Sequence, residues 1–165
     1  MSTIGFDTSN YTTSTAWTDG KTDINVRQIL YVKDGERGIR QSDGVFQHMK
    51  LMPVMYEKLS EQIDFKDVKA VGVSTRPRCV EGSYMPVFLA GEGYAKVVAN
   101  TLGVPLYEFS HQDGHIMAGI YSSGSFELLE NDFISVHLSG GTTEILKSRY
   151  NGFHFDNEII GGSKD

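Results

Sequence analysis

This chain has a single cysteine, no long apolar run and no excess of basic residues. Cys79 is the one cysteine among 165 residues, so neither an internal disulfide nor a zinc site built from several cysteines can form. No apolar stretch approaches the length of a bilayer-spanning helix, and the first residues lack the basic flank of a targeting signal. We therefore expect a cytoplasmic protein without a membrane segment.

The charge balance also limits the choice of partners. The formal net charge is -6, so the surface as a whole is not that of a generic binder of nucleic acid. A local basic face is compatible with this balance, but binding to a nucleic acid would then need help from a partner or from a missing region. The hydrophobic fraction of 39% is enough for one ordinary core, or for one core plus part of another.

The apolar pattern predicts an α/β chain. Its predicted strands cover 4–7, 11–17, 24–32, 68–74 and 104–109, and its predicted helices cover 45–59 and 84–102. Asp19 and Gly20 form a tight turn, and Gly103 ends the second helix. The last of these strands leads directly into a third helix that carries two histidines. This order of elements matches a ribonuclease-H-like lobe with a mixed sheet and flanking helices.

The strand pattern then begins again near the end of the sequence. Three more strands are predicted over 133–138, 144–149 and 153–159, which resembles the opening of the chain. We predict a first ribonuclease-H-like lobe over residues 1–128 and the start of a truncated second lobe over residues 129–165. The second sheet would lack the helices that such a sheet needs to cover its face.

Two histidines four residues apart are the most informative feature that is present. His111 and His115 lie in the sequence SHQDGH at residues 110–115, at the start of the predicted third helix. Residues four apart share one face of a helix, so both rings can bind one metal ion. The zinc-protease signature HExxH is absent, which disfavours a protease. Two imidazoles leave a metal under-coordinated, so a further ligand must come from substrate, water or other residues.

Two short polar loops are candidates for binding phosphate. Asp7, Thr8 and Ser9 follow the first strand, where a carboxylate can hold hydrated magnesium and hydroxyls can meet phosphate. Alternatively, the aspartate and serine only cap a turn through local hydrogen bonds. The second loop contains Ser139, Gly140, Gly141, Thr142 and Thr143. Its paired glycines let backbone amides approach an anion, although a plain hairpin turn explains them equally.

The whole pattern resembles the TsaD/Gcp family, the tRNA threonylcarbamoyladenosine biosynthesis transferases once described as O-sialoglycoprotein endopeptidases. That family has the actin-like, sugar kinase and Hsp70 ATPase fold. The resemblance covers nearly the whole chain. It rests on GFDTS at 5–9, Gln47-His48 leading into Leu51 and Pro53, the 71–91 region, the SHxxxHI motif at 110–116, SGG at 139–141 and GGSKD at 161–165.

The resemblance implies roles for particular residues. His111 and His115 would ligate iron or zinc, and this metal would polarise the threonylcarbamoyl group of an adenylate for transfer to an adenosine of tRNA. Ser139, Gly140 and Gly141 would lie near the substrate phosphate or carbamoyl end, and Asp165 would begin an acidic motif that holds the nucleotide ribose. ATP or an adenylate, with magnesium, is the implied nucleotide, and a homodimer or a heterodimer with a same-fold protein is the implied assembly.

The chain departs from the family pattern at several positions. The family usually has a histidine after SGG, where this chain has Thr142, and a Gly-Pro-Gly turn at residues 76–78. Here Arg76 and Arg78 flank the proline; they can bind a substrate carboxylate or phosphate, or simply decorate a surface turn. The family's third metal ligand, an aspartate late in the second lobe, has no counterpart. The chain is therefore expected to be an N-terminal fragment or a divergent paralogue.

Three functions follow from this pattern. The first is a metal-dependent transferase lobe, with His111 and His115 at the metal. The second is a non-catalytic scaffold of the same fold, in which the apolar helix over 45–59 pairs with another chain. The third is a metalloendopeptidase, which rests on the old family description and not on the residues. Metal content separates the first two functions, because a scaffold would not need the histidine pair.

Overall fold

The computed structural model describes residues 1–36, 38–138 and 142–164. Within these residues the chain forms two compact units. The first unit contains residues 1–77 and 82–111, and the second contains residues 78–81 and everything after residue 111. The predicted lobe boundary after residue 128 stays a prediction, since a grouping by contacts does not test where the family's lobes divide.

The first unit is built on a five-stranded mixed sheet. Its strands are β1 (Ser2–Ser9), β2 (Thr12–Thr18), β3 (Asp23–Ile29), β4 (Val68–Arg76) and β5 (Leu106–Ser110), in the order β3-β2-β1-β4-β5. The first three strands pair antiparallel, whereas β1, β4 and β5 run parallel. The carboxyl ends of these three parallel strands therefore meet at one edge of the sheet.

Two helices cover this sheet. Helix α1 (Gln41–Ser60) lies against β2 and β3, and helix α2 (Phe88–Leu102) lies against β1 and β4. The first helix includes Pro53 without ending there, and the second ends at Gly103, which takes the left-handed conformation that favours glycine. The core formed between the sheet and these two helices is apolar. It consists of Ile4, Phe6, Met52, Leu59, Val68, Val71, Val73, Ala95 and Ala99.

The second unit contains a helix and a smaller sheet. Helix α3 (His111–Ser123) follows β5 directly, and its first residue is counted with the first unit. A short 3-10 helix spans Phe126–Glu130. The sheet consists of β6 (Phe133–Leu138), β7 (Thr142–Tyr150) and β8 (Phe155–Lys164), paired antiparallel in chain order.

The predicted fold class is confirmed by this succession of elements. Differences occur at element ends. Helix α1 begins four residues earlier than the predicted start at 45, and α2 begins four residues later than the predicted start at 84. Strand β3 ends at Ile29 and not at residue 32. Within the described residues, no helix combines the length and the apolar character that crossing a bilayer requires.

Candidate metal centre

The carboxyl edge of the parallel strands brings together three polar side chains of the first unit. Asp7 lies near the end of β1, Ser74 near the end of β4, and His111 directly after β5. The Asp7 Oδ2 atom is 2.8 Å from His111 Nδ1, although the two residues are 104 positions apart in the sequence. Parallel pairing of the three strands explains this meeting, because it aligns their carboxyl ends.

The Asp7 carboxylate is held by several hydrogen bonds. Its Oδ1 atom accepts the backbone N–H of Ser9 at 2.8 Å, which is the local turn bond that the sequence analysis considered. Burial by itself would raise the pKa of Asp7, but hydrogen bonding and charge from His111, with a further bond from Ser74, outweigh it. The pKa of Asp7 therefore lies below its usual value, and the carboxylate is ionised at neutral pH.

This pairing determines which nitrogen of His111 would bind a metal. An ionised carboxylate can only accept a hydrogen bond, so Nδ1 of His111 donates to Asp7. A metal would then bind through Nε2. A carboxylate that holds the opposite nitrogen of a ligating histidine is the usual outer-shell arrangement at metal sites. An imidazole fixed in this way suits iron or zinc, so the residue fits the metal that the family resemblance implies.

Thr8 has a different environment from its neighbours. Its side chain is fully buried in the first unit, and its hydroxyl donates to the backbone oxygen of Val87 at 2.8 Å. The Thr8 hydroxyl oxygen also accepts the backbone N–H of Gly91 at 3.0 Å. This hydroxyl joins the end of β1 to the start of α2. The nucleotide contacts predicted for Asp7, Thr8 and Ser9 stay predictions.

A buried histidine lies in the same unit. His48 on α1 is fully buried, and its Nδ1 atom is 2.7 Å from the Thr13 hydroxyl. Burial lowers the pKa of His48 more than its hydrogen bonding and the charge of Asp7 raise it. The ring is therefore neutral at physiological pH. The Gln47-His48 sequence is one of the segments on which the family resemblance rests. The buried position of His48 and its bond to Thr13 indicate a structural role for the ring.

The second predicted ligand, His115, lies one helical turn further along α3 and is counted with the second unit. Its ring is 5.6 Å from that of His137 on β6, and both rings line a groove of about 240 Å³ between this helix and strand. Among the described residues, His111 and His115 belong to no group of three potential metal ligands close to one another. Their joint binding of one metal remains a prediction.

The residues predicted for the second phosphate loop are only partly visible. Ser139, Gly140, Gly141 and Asp165 lie outside the described residues. Thr142 and Thr143 begin β7, where they pair with Lys164 and Ser163 of β8. The predicted nucleotide contacts of this loop remain predictions.

The two arginines of the 76–78 turn have different partners. Arg78 forms a 2.7 Å ion pair with Glu144, which is almost fully buried on β7. Arg76 Nη1 donates to the Thr75 hydroxyl at 3.3 Å. Arg78 thus has a structural partner within the second unit, which a surface turn alone would not require.

Sequence reasoning missed a further cluster of possible ligands. Cys79, Asp113 and His154 bring a thiol, a carboxylate and an imidazole within 4.8 Å of one another in the second unit. The single cysteine excludes a zinc site made of several cysteines, but not a site with mixed ligands. Spacing offers no signal here, since the three residues come from three distant segments.

Solved structures establish the class of this fold. YeaZ from Pseudomonas aeruginosa superposes with a TM-score of 0.58 and 11% sequence identity, covering 99% of this chain and 68% of its own. The ethanolamine utilization protein EutJ from Carboxydothermus hydrogenoformans gives a TM-score of 0.51 and 18% identity, covering 98% and 53%. At these identities the likeness concerns the fold alone, and it confirms the actin-type ATPase fold predicted from the sequence.

Sequence comparison then identifies the family. Residues 35–162 match the family model of TsaD, tRNA N6-adenosine threonylcarbamoyltransferase. A protein of that name from Christiangramia forsetii is 32% identical over 116 residues, which are 70% of this chain and 32% of the relative. Another from Pyrobaculum calidifontis is 28% identical over 144 residues, which are 86% and 40%. The chain belongs to the TsaD family, and it spans well under half the length of these relatives.

Proposed function

We propose that this chain carries the metal-binding segment of a transferase that moves a threonylcarbamoyl group from an adenylate to an adenosine of tRNA. The observation that carries the proposal is the hydrogen bond between Asp7 and His111, in a chain that belongs to the TsaD family. That bond holds the first histidine of the HxxxH motif in the tautomer that metal binding needs. Modification of tRNA by this protein would place it in the cytoplasm.

His111 and His115 are the proposed ligands. Both lie on α3 four residues apart, which places their Cβ atoms on one face of the helix. The bound metal, iron or zinc, would act as a Lewis acid that polarises the carbonyl of the threonylcarbamoyl group. Asp7 is a positioning residue, because it acts on this chemistry through His111 and not through the substrate.

The nucleotide is proposed to lie near the end of β1 and the segment that follows β6. Asp7, Thr8 and Ser9 at the end of β1 are proposed contacts for phosphate with magnesium, and so are Ser139, Gly140, Gly141, Thr142 and Thr143 after β6. Asp165 is the proposed contact for the ribose. The support for these residues is their match to the family pattern together with the position of the end of β1 at the carboxyl edge of parallel strands.

We further propose a same-fold partner that binds helix α1. Phe46, Met49 and Val54 on this helix are 43–64% exposed, although they are large apolar side chains. Exposed apolar groups on one helix are typical of protein–protein contacts. Such a partner would also supply the basic surface that a chain with net charge -6 needs for binding tRNA.

The same exposed helix favours a second candidate function, a non-catalytic scaffold. In that case α1 would bind its partner, and the histidine pair would serve no metal. The two candidates differ in metal content. A transferase segment needs about one iron or zinc ion at the histidine pair, whereas a scaffold needs none.

The deciding experiment measures metal bound per chain by elemental analysis. We expect His111→Ala and His115→Ala each to bind about one ion fewer per chain, while His137→Gln, a matched histidine change outside the motif, leaves the metal content unchanged. Asp7→Asn retains an oxygen that can accept the Ser9 N–H but loses the charge, so metal affinity should fall about 10–100-fold. Asp19→Asn, in a surface turn, is its control. Unchanged metal content in both histidine variants would rule out the transferase and favour the scaffold.

A further inference from the structure

Three donor side chains of different chemistry converge in the second unit. Cys79 belongs to the segment between β4 and α2, Asp113 to the first turn of α3, and His154 to the turn before β8. The thiol sulfur, a carboxylate oxygen and a ring nitrogen all lie within 4.8 Å of one another. Each comes from a different part of the sequence, so the folding of this unit, and not local sequence, assembles the cluster.

The spacing of the three donor atoms is within about one ångström of what one zinc ion requires. Ligand bonds of about 2.0–2.3 Å in a tetrahedron place donor atoms about 3.3–3.8 Å apart. Side-chain movements of about one ångström would therefore bring the three donor atoms into the range that one ion requires. A relay of thiol, imidazole and carboxylate, as in nucleophilic catalysis, would need the thiol and the carboxylate on opposite sides of the ring. Their close approach to each other disfavours that arrangement.

The carboxylate of the cluster is already positioned. Asp113 is 4% exposed, and its Oδ1 atom accepts the backbone N–H of Phe155 at 3.2 Å. Its Oδ2 atom lies 3.5 Å from Nδ1 of His154. One oxygen thus anchors the side chain to the first residue of β8, while the other faces the imidazole. A ligand held by a backbone hydrogen bond in this way is preorganised for a metal.

We propose that Cys79, Asp113 and His154 form a zinc site. Sulfur, nitrogen and oxygen donors together suit zinc, whereas magnesium and calcium prefer oxygen alone. Cys79 is exposed, so the fourth position opens to solvent and takes water or an exogenous ligand. The site is distinct from the histidine pair of the proposed function. Asp113 is two residues from each of those histidines, which places it on the opposite side of α3.

A bound ion would order this region. The Arg78–Glu144 ion pair already connects residue 78 to β7, and zinc at the next residue would add a link to α3 and to the start of β8. An ion that binds the folded unit and not the unfolded chain stabilises the folded form in proportion to the logarithm of its concentration. We therefore expect the second unit to become more stable as zinc is added.

Cobalt substitution provides the first test. We would use the double variant His111→Ala/His115→Ala, so that the site of the proposed function does not contribute. We expect one Co²⁺ per chain, with the near-ultraviolet charge-transfer absorption of a thiolate–cobalt bond. Cys79→Ser should abolish that absorption, and Cys79→Ser or His154→Gln should weaken Zn²⁺ binding by about 100-fold or more. His137→Gln, a nearby histidine outside the cluster, should change neither quantity.

The single cysteine provides a second test that works in the unmodified chain. Zn²⁺ should slow alkylation of Cys79 at least about tenfold, because a metal-bound thiolate is a poor nucleophile, and His154→Gln should remove this protection. Absence of the thiolate absorption, or equal Zn²⁺ affinity in the chain with Cys79→Ser, would overturn the proposal. Either result leaves the His111 site untouched, since that site is measured by the metal lost in His111→Ala.

Discussion

The two units differ in the balance of apolar and polar side chains that they bury. Among the described residues, the first unit buries mainly apolar groups, which lie between a five-stranded sheet and two helices. The second unit buries fewer apolar groups, Ile120, Leu146 and Phe155, together with the polar Asp113, Glu144 and Ser148. On one side of β6, Val136 and Leu138 are exposed. Apolar burial is the main source of folding free energy, so the first unit is expected to be stable by itself. The second depends more on ion pairs and hydrogen bonds, whose net contributions are smaller.

Matched leucines test this contrast with the largest expected effect. Leu59 on α1 is 0% exposed, and Leu138 on β6 is 73% exposed. Leu59→Ala should lower the free energy of unfolding by about 2–5 kcal/mol, because it removes buried methyl groups and leaves a cavity. Leu138→Ala should change it by less than about 0.5 kcal/mol. Urea denaturation measures both values. A large loss for the exposed leucine would mean that another surface covers β6 in solution.

A glycine pair on α2 gives the next effect. A Cβ atom at Gly91 would lie 2.8 Å from the Thr8 hydroxyl, whereas a Cβ atom at Gly93 would meet nothing within 4 Å. Gly91→Ala should therefore cost about 1–3 kcal/mol through overpacking and a disturbed hydrogen bond. Gly93→Ala should stabilise the helix by about 0.5–1 kcal/mol. Thermal unfolding distinguishes the two variants by sign, and equal shifts would contradict the packing described for Thr8.

Ion pairs of unequal burial test the second unit. Glu144 has a 9% exposed side chain paired with Arg78, whereas Asp132 and Lys147 are both more than 40% exposed. Glu144→Gln should destabilise this unit by about 1–2 kcal/mol, since a buried charge-assisted hydrogen bond is weakened. Asp132→Asn should cost less than about 0.5 kcal/mol. Hydrogen exchange of the β7 amides measures the local effect, and identical protection in both variants would refute it.

The smallest expected effect is a loss of stability in acid that arises from His48 in the first unit. Because the pKa of His48 is lowered in the folded state, the unfolded chain binds the proton more readily. The contribution of the neutral His48 ring to the free energy of unfolding should be complete at neutral pH. It should fall as the pH drops below about 6.5, with a slope of at most about 1.4 kcal/mol per pH unit. His48→Gln should flatten that slope. A slope that persists in this variant would assign the sensitivity to another group.

Much of the fold could be predicted from local pattern. The short segment at residues 4–7 predicted β1, and the glycine at position 103 predicted the end of α2, because each signal acts within a few residues. Helix starts were less accurate. Pro86 and the turns before it keep α2 from beginning before Phe88, while α1 extends back to Gln41 through polar residues that carry no apolar period.

The candidate sites show where sequence reasoning ends. The spacing of His111 and His115 was readable because a helix relates them. The partner of His111 was not, since Asp7 reaches it only through the order of parallel strands. The cluster of Cys79, Asp113 and His154 likewise depends on tertiary structure. Spacing reveals ligands that share one element, whereas ligands from separate elements require coordinates.

The bond between Asp7 and His111 also connects the first strand of the first unit to the last residue of that unit. Asp7 belongs to the first strand of this unit, and its imidazole partner is synthesised only after every strand of the five-stranded sheet. Until β4 and β5 have docked in order, Asp7 cannot orient that ring. Competence to take up an ion at His111 would thus report that assembly of the unit is complete.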